Sequence, residues 1–435
     1  MNPMAEPELN DHSGAVPPPL AAGVPPPLSP PPLITGRADP KPSGWPLARV
    51  AELLLSLCLG LFLVDGLASV LDDGLVYISG SHAFSLLRGI ISFFTGLMAI
   101  GIYGLMALTP KVPKRLFLPI PLFLLAAILA VFPFAIYCYG QLPLVALGAS
   151  IGELVLGLLL LAGAQGGLTL RWPLVPAGQL GGRVFSWKNL AGFILATVFG
   201  LVPAVLIYLF LCTSLAVNHF TAGFMSLRPG GLTVHVKKYV RADGKVIELF
   251  PMAHVADARF YRQVEQTFPT NSIILLEGVS DDKNLLTNKL SYKRMAKSLG
   301  LSEQKAEFAP DRGKAVRADV DVSQFTQGTI DCLNLVSLAH AKGLNSQILQ
   351  QLLANPMTPG FEETLFHDIL TKRNEHLLGE IQSRLAQSDN IMVPWGAAHM
   401  PWISSEIQKS GFRPTESHEY SLIRFWGKGK EVKGK

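Results

Sequence analysis

The sequence predicts a two-part protein: an amino-terminal membrane domain of about five transmembrane helices and a carboxy-terminal α/β domain. Three observations carry that expectation. Five long apolar runs crowd into residues 47–216, positive charge alternates along the connections between them, and the remainder alternates short apolar strands with amphipathic helices. Of the 435 residues 49% are hydrophobic and only 16% charged, against about 25% charged in an average soluble domain. These numbers argue against an ordinary cytosolic enzyme and exclude disorder throughout, a disulfide-rich secreted scaffold and a collagen-like repeat. The net charge of +5 is spread out and gives no nucleic-acid footprint.

Residues 1–45 form a Pro-rich tail in which Val16-Pro17-Pro18-Pro19-Leu20 returns as Val24-Pro25-Pro26-Pro27-Leu28. It has too little apolar periodicity for a core and is expected to be extended and disordered, a spacer or a docking peptide. No short apolar core with a charged start marks a cleavable leader.

The apolar runs cover roughly 47–70, 84–108, 116–138, 143–165 and 190–216 within a membrane domain of 46–217. Each is long enough to cross a bilayer, which takes about 20 helical residues. Pro119, Pro121, Pro133 and Pro203 inside the runs suit membrane helices better than soluble ones. The first connection is expected to carry Asp65, Asp72 and Asp73 without a cation, the second Lys111, Lys114 and Arg115, and the third no charge. The fourth carries Arg171, Arg183 and Lys188. By the positive-inside rule the amino terminus is cytoplasmic, and an odd number of spans in the cell membrane leaves the rest extracytoplasmic. Glu153 and Arg88 fall inside runs, so a transporter with an accessory domain stays open beside a plain anchor. Cys58, Cys138 and Cys212 lie in or beside the runs and Cys332 stands alone, so a disulfide-stapled outer domain is excluded.

The α/β domain is placed at 218–427, ahead of a basic tail, 428–435. It opens with a hairpin, Leu232 to Arg241 and Val246 to Phe250, turned at Asp243-Gly244. A helix over Asp257 to Phe268 and an apolar strand, Ile273 to Leu276, complete a βαβ unit whose strands are expected to be neighbours. A further strand, Asn390 to Pro394, leads into Trp395-Gly396-Ala397-Ala398-His399 and a helix from Trp402 to Lys409. His254, Glu277 and His399 therefore each follow a strand end, at the edge where α/β sheets bind ligands. Two imidazoles and a carboxylate there suit a divalent metal, with Glu277 as ligand or general base; loop histidines held by ordinary hydrogen bonds are the alternative. Asp319 and Asp321 are expected on one side of an extended segment, one of them as an additional ligand or to orient Arg373, and Arg373 on a helix face holds a substrate carboxylate, pairs with Glu277 or forms a surface salt bridge. A metalloprotease helix motif, a phosphate-binding loop and a nucleophile elbow are absent.

Phe250-Pro251-Met252-Ala253-His254, Leu275-Leu276-Glu277 and Trp395-Gly396-Ala397-Ala398-His399 resemble the TraB/PrgY/GumN family, to which the TIKI proteases are related. That family has two Gly-x-x-His motifs and a strand-end glutamate in this order. It also has an Ala-Asp-x-Asp-like stretch, matched by Ala318-Asp319-Val320-Asp321, and a helical Arg-Asn, matched by Arg373-Asn374. The resemblance spans about residues 232–425. It implies a divalent-metal-dependent (Mn, Co or Zn) peptidase acting on extracytoplasmic peptides or proteins. His254, His399 and Glu277 would be metal ligands, Glu277 and Arg373 catalytic, and Asp319, Asp321, Asn374 and Gly396 supporting. For many bacterial relatives it implies only peptide-signal handling, so a non-catalytic ligand-binding or signal-shutdown membrane protein is the alternative. Pro251 stands where the family pattern has glycine, and proline cannot copy glycine's backbone freedom.

Overall fold

The computed structural model describes residues 45–287, 291–343 and 360–426. The Pro-rich tail (apart from its last residue, Trp45) and the basic tail at 428–435 lie outside them. Five helices are long and apolar enough to cross a membrane: Arg49–Ser79, Ser85–Leu108, Lys114–Tyr137, Tyr139–Gln165 and Trp187–Phe220. Most of their large apolar side chains face outward, Ile100 at 72% and Phe199 at 74% exposure among them, as helix surfaces solvated by lipid require. The two basic connections meet at one end of the bundle. There the Gly181 amide donates to the Lys111 carbonyl at 2.9 Å, and Asn189 bonds Lys114 and the carbonyls of Met106 and Ala107.

One expectation about the membrane half needs correction. Asp65, Asp72 and Asp73 are not in a connection; the first helix continues through them to Ser79, and all three are buried. Their carboxylates are met by Ser92, Ser85 and Arg88 of the second span, so the helix can carry them inside the bundle.

The carboxy-terminal domain is a mixed seven-stranded sheet with helices on both faces. Its strands are β1 (Met225–Arg228), β2 (Gly231–Val240), β3 (Val246–Met252), β5 (Ile273–Leu276), β7 (Lys314–Arg317), β8 (Asn390–Gly396) and β9 (Arg413–Arg424). A two-stranded ribbon pairs β4 (Val255–Ala256) with β6 (Ser302–Glu303). Across the main sheet the order is β9-β2-β3-β8-β5-β7, with β1 beside the start of β2. The last four strands run parallel and the rest antiparallel. The expected βαβ unit thus has a different neighbourhood. β3 and β5 are parallel but not adjacent, because β8, more than a hundred residues downstream, is inserted between them.

Alternation along the strands divides the core. Ile247, Leu249, Leu275, Ile391, Val393 and Trp395 pack under the Arg373–Arg384 and Met400–Lys409 helices. Phe250, Met252, Ile274 and Met392 face the Ala258–Gln266 helix through Phe260, Tyr261 and Val264. Beneath the first group, the Tyr239 hydroxyl meets Ser404 Oγ at 2.8 Å, so this buried polar tip is satisfied.

The β2–β3 turn needs a residue in the left-handed region, and Gly244 supplies it at φ +84°. Adding a Cβ there costs about 1–2 kcal/mol. Gly244→Ala is therefore expected to weaken hydrogen-exchange protection of β2 and β3 by that amount, leaving the Met400–Lys409 helix unchanged.

Candidate functional site

The site begins where β8 and β5 separate. Their pairing covers only Ile273–Ile391 and Ile274–Met392. Two residues further on, β8 has Pro394, which has no amide hydrogen to continue a ladder. The strands part, and side chains take over the bonding. The Trp395 indole donates to the Leu275 carbonyl at 3.0 Å, and the Gly396 amide donates to Glu277 Oε2 at 2.6 Å. Glycine at 396 lets the carboxylate come that close: a Cβ there would sit 3.3 Å from Oε2.

Into this gap the Arg373–Arg384 helix delivers Arg373. It is preceded by a π-helical turn, His367–Lys372, an irregularity common at functional sites. That turn is fastened from within by Asp368, wholly buried, which accepts from Lys372 and from the amide and hydroxyl of Thr326. Burial acts to raise the Asp368 pKa, but these donors overcome it and hold the carboxyl at about 2.

The Arg373 guanidinium makes a two-pronged bond to Asp319, Nε to Oδ1 at 3.0 Å and Nη2 to Oδ2 at 2.7 Å. Nη2 also donates to Glu277 Oε1 at 2.9 Å, and the cation lies 5.3 Å from the Trp395 ring. Asp319 is closed off further by the amides of Gly278 and Val320. Two carboxylates around one guanidinium leave the cluster with one net negative charge.

His399, 4% exposed, stands behind Arg373. Its Nδ1 lies 2.6 Å from Asn374 Oδ1 and its Nε2 3.4 Å from Arg373 Nη1. The carbonyl oxygen takes a proton and the guanidinium gives one, so both contacts assign the neutral ring with hydrogen on Nδ1 and a lone pair on Nε2. Burial pushes the His399 pKa down to about 4; Glu277 works against that and Arg373 reinforces it.

In front of Arg373 lies a pocket of about 360 Å³. Phe308, Phe325, Leu333 and Ile369 give it an apolar body, while Glu277, Arg373, His254 and Tyr292 line its polar part. Burial and the nearby Glu277 raise the Tyr292 pKa, so its phenol stays protonated as a donor.

The structure does not bring together all the residues expected here. Glu277, Asp319, Arg373, Asn374, Gly396 and His399 form one connected cluster. His254 is exposed at the pocket rim, where it stacks on Tyr292 at 4.9 Å and contacts Gln304 Oε1 through Nδ1. Asp319 and Asp321 both reach the 278–282 segment, but only Asp319 meets Arg373. The Asp321 carboxylate caps a short 3₁₀ turn through the Ser323 amide and binds Ser280 and the Asp282 amide, which hold its pKa well below the carboxylate range. Pro251 lies beyond the last β2–β3 pair, Lys237–Leu249, so its missing amide removes no bond of that ladder.

The expected metal set fares likewise. Glu277 Oε1 and His399 Nε2 approach to 3.6 Å, but the third donor, His254, is held elsewhere. Among the described residues no three His, Cys, Asp or Glu side chains are arranged to hold a metal ion. As arranged, the residues do not fit the expected three-donor site.

Comparison with protein-family models, curated proteins and solved structures gives no match to this chain. The resemblance to the TraB/TIKI group therefore rests on the quoted residues and their order. Sequence reasoning missed Tyr292, Phe325 and Ile369; as isolated residues in separate segments, they carry no local signal of a shared pocket.

Proposed function

We propose that this is a membrane-anchored protein whose carboxy-terminal domain binds peptides or similar small ligands outside the cytoplasm, at the carboxy ends of β3, β8 and β5. The observation that carries the proposal is the Glu277–Arg373–Asp319 cluster at the mouth of an apolar pocket. A volume of about 360 Å³ is within the usual range for small-ligand sites. The net negative mouth favours a head group that donates hydrogen bonds, such as an ammonium or an amide, with an apolar body lying against Phe308 and Phe325. The basic connections gathered at one end of the bundle support a cytoplasmic amino terminus and, after five spans, an external domain.

A second reading, the metal-dependent peptidase of the TraB/TIKI type, is favoured by one feature. A ring with Nδ1–H fixed on a carbonyl oxygen and its lone pair on Nε2 is how metal-binding histidines are usually oriented, although here Arg373 Nη1 lies 3.4 Å from that lone pair.

Thermal shifts of the full-length protein in detergent separate the two, with short peptide mixtures in one arm and Mn, Co or Zn salts in the other. A rise in Tm with peptides alone, lost in Phe325→Ala, is the expected result. A rise with metal that disappears in His399→Ala, and none with peptides, would replace the binding module with the metalloenzyme.

A further inference from the structure

The membrane domain holds a second polar cluster that the extramembrane site does not use. Asp65 lies mid-way along the first span and Glu153 mid-way along the fourth. Both are buried, at 2% and 8% exposure, beside the close contact of Gly66 with Leu154 that brings the two helices together, so the two carboxyls belong to one helix crossing. The helices leave no slack at this point: a Cβ on Gly66 would come within 2.9 Å of the Leu154 backbone nitrogen. Ser92 of the second span donates to Asp65 Oδ1 at 2.7 Å.

Glu153 Oε1, by contrast, is buried with no hydrogen-bond partner. It is the only such side-chain atom among the described residues. Two carboxylates at one crossing are all acceptors, and a buried acceptor without a donor is costly. A proton on either carboxyl supplies the missing donor and removes one charge from the bilayer interior, where like charges at one crossing cannot both persist.

Among the described residues the surroundings offer no other compensation. Arg88, the one cation beside the cluster, is engaged by Asp73 and by Asp72 at 3.5 Å, and its Nε donates to Ser69. Asp65, Arg88 and Asp73 are the charged groups that act on Glu153. No three-donor metal arrangement exists among the described residues, so a metal ion does not fit the role.

The cluster also has a direction. From Asp65 a track of polar side chains runs past Ser69, Asp73 with Ser150, and Asp72 with Ser85, to the 80–84 connection. Towards the other membrane face, Leu55, Leu59, Phe62, Ile102 and Met106 fill the bundle. With five spans, the 80–84 connection and the carboxy-terminal domain share one side of the membrane.

We propose that Asp65 and Glu153 form a proton-binding site in the membrane domain, sharing one proton that exchanges with water on the side of the carboxy-terminal domain. The proton passes between a carboxyl oxygen and water along the serine and aspartate track, and no other reactant is consumed. This proposal is independent of what the extramembrane pocket binds.

Infrared difference spectroscopy of the full-length protein in lipid vesicles tests it. On a pH jump, the native protein is expected to show a protonated-carboxyl stretch that shifts in D₂O. The band is expected to be lost in Glu153→Gln and in Asp65→Asn, each read separately in case one fails to fold, and kept in Asp72→Asn. No such band in the native protein, or a band that survives in either Glu153→Gln or Asp65→Asn, would overturn the site.

Discussion

Replacing Arg373 with alanine is expected to cost the carboxy-terminal domain about 3–5 kcal/mol, the penalty for stranding a buried ion. The side chains of Asp319 and Glu277 are 0% and 9% exposed, and both depend on this one guanidinium. Its removal leaves Asp319 with backbone amides alone, and Glu277 with the Gly396 amide. Arg373→Lys keeps the charge but not the two-pronged geometry, so it recovers only part of the loss. The decisive variant combines Arg373→Met with Glu277→Gln and Asp319→Asn. If stranded charge is the cause, this triple variant is more stable than Arg373→Ala alone. Hydrogen exchange on β5, β8 and the Arg373–Arg384 helix reads the effect. A loss below about 1 kcal/mol would place the cluster among weakly contributing surface pairs.

That cluster also shows what was legible in the sequence. Glu277 and His399 could be placed at strand ends because apolar runs of four to seven residues announce buried strands and their limits. The partnership of Arg373 with Asp319, 54 residues apart, has no local signature. Asp319 and Asp321, two apart, both reach the 278–282 segment, but that spacing does not say which of them meets Arg373: Asp321 is taken up as the cap of the Val322–Gln324 turn.

The same contrast holds for the fold. Membrane spans were legible because solvation by lipid demands outward-facing apolar residues around most of each helix. The end of the first span was misjudged, since three aspartates resemble a connection unless Ser85, Arg88 and Ser92 are known to face them. Insertion of β8 between β3 and β5 is a pairing of distant segments, which residue pattern alone does not encode. β9 was hidden for another reason. It is an edge strand, largely exposed from Arg413 to Glu419, and Glu416 and Glu419 reach across to Lys238 and Arg228. Charged edges of this kind keep a sheet from pairing with other chains, and they give a sequence profile close to that of a loop.

Acid is expected to destabilise the carboxy-terminal domain through His399 before it protonates most carboxylates. In the folded protein this ring stays neutral down to about pH 4, because burial disfavours the imidazolium. In the unfolded chain it takes a proton near the ordinary histidine value of about 6.5. Between those limits the unfolded state binds more protons, so stability falls as pH falls. The contribution is complete above pH 6.5 and is lost on the way to pH 4, amounting to about 3 kcal/mol over the window. Opening free energies from hydrogen exchange at β8 and the Met400–Lys409 helix, compared at neutral pH and near pH 4.5, measure it. Asn374→Asp should shrink the loss, because a carboxylate facing Nδ1–H stabilises the imidazolium and lets the folded protein take the same proton. Equal acid sensitivity in the native protein and in His399→Gln would instead mean that this ring takes up its proton alike in the folded and unfolded chains, so that burial does not hold it neutral.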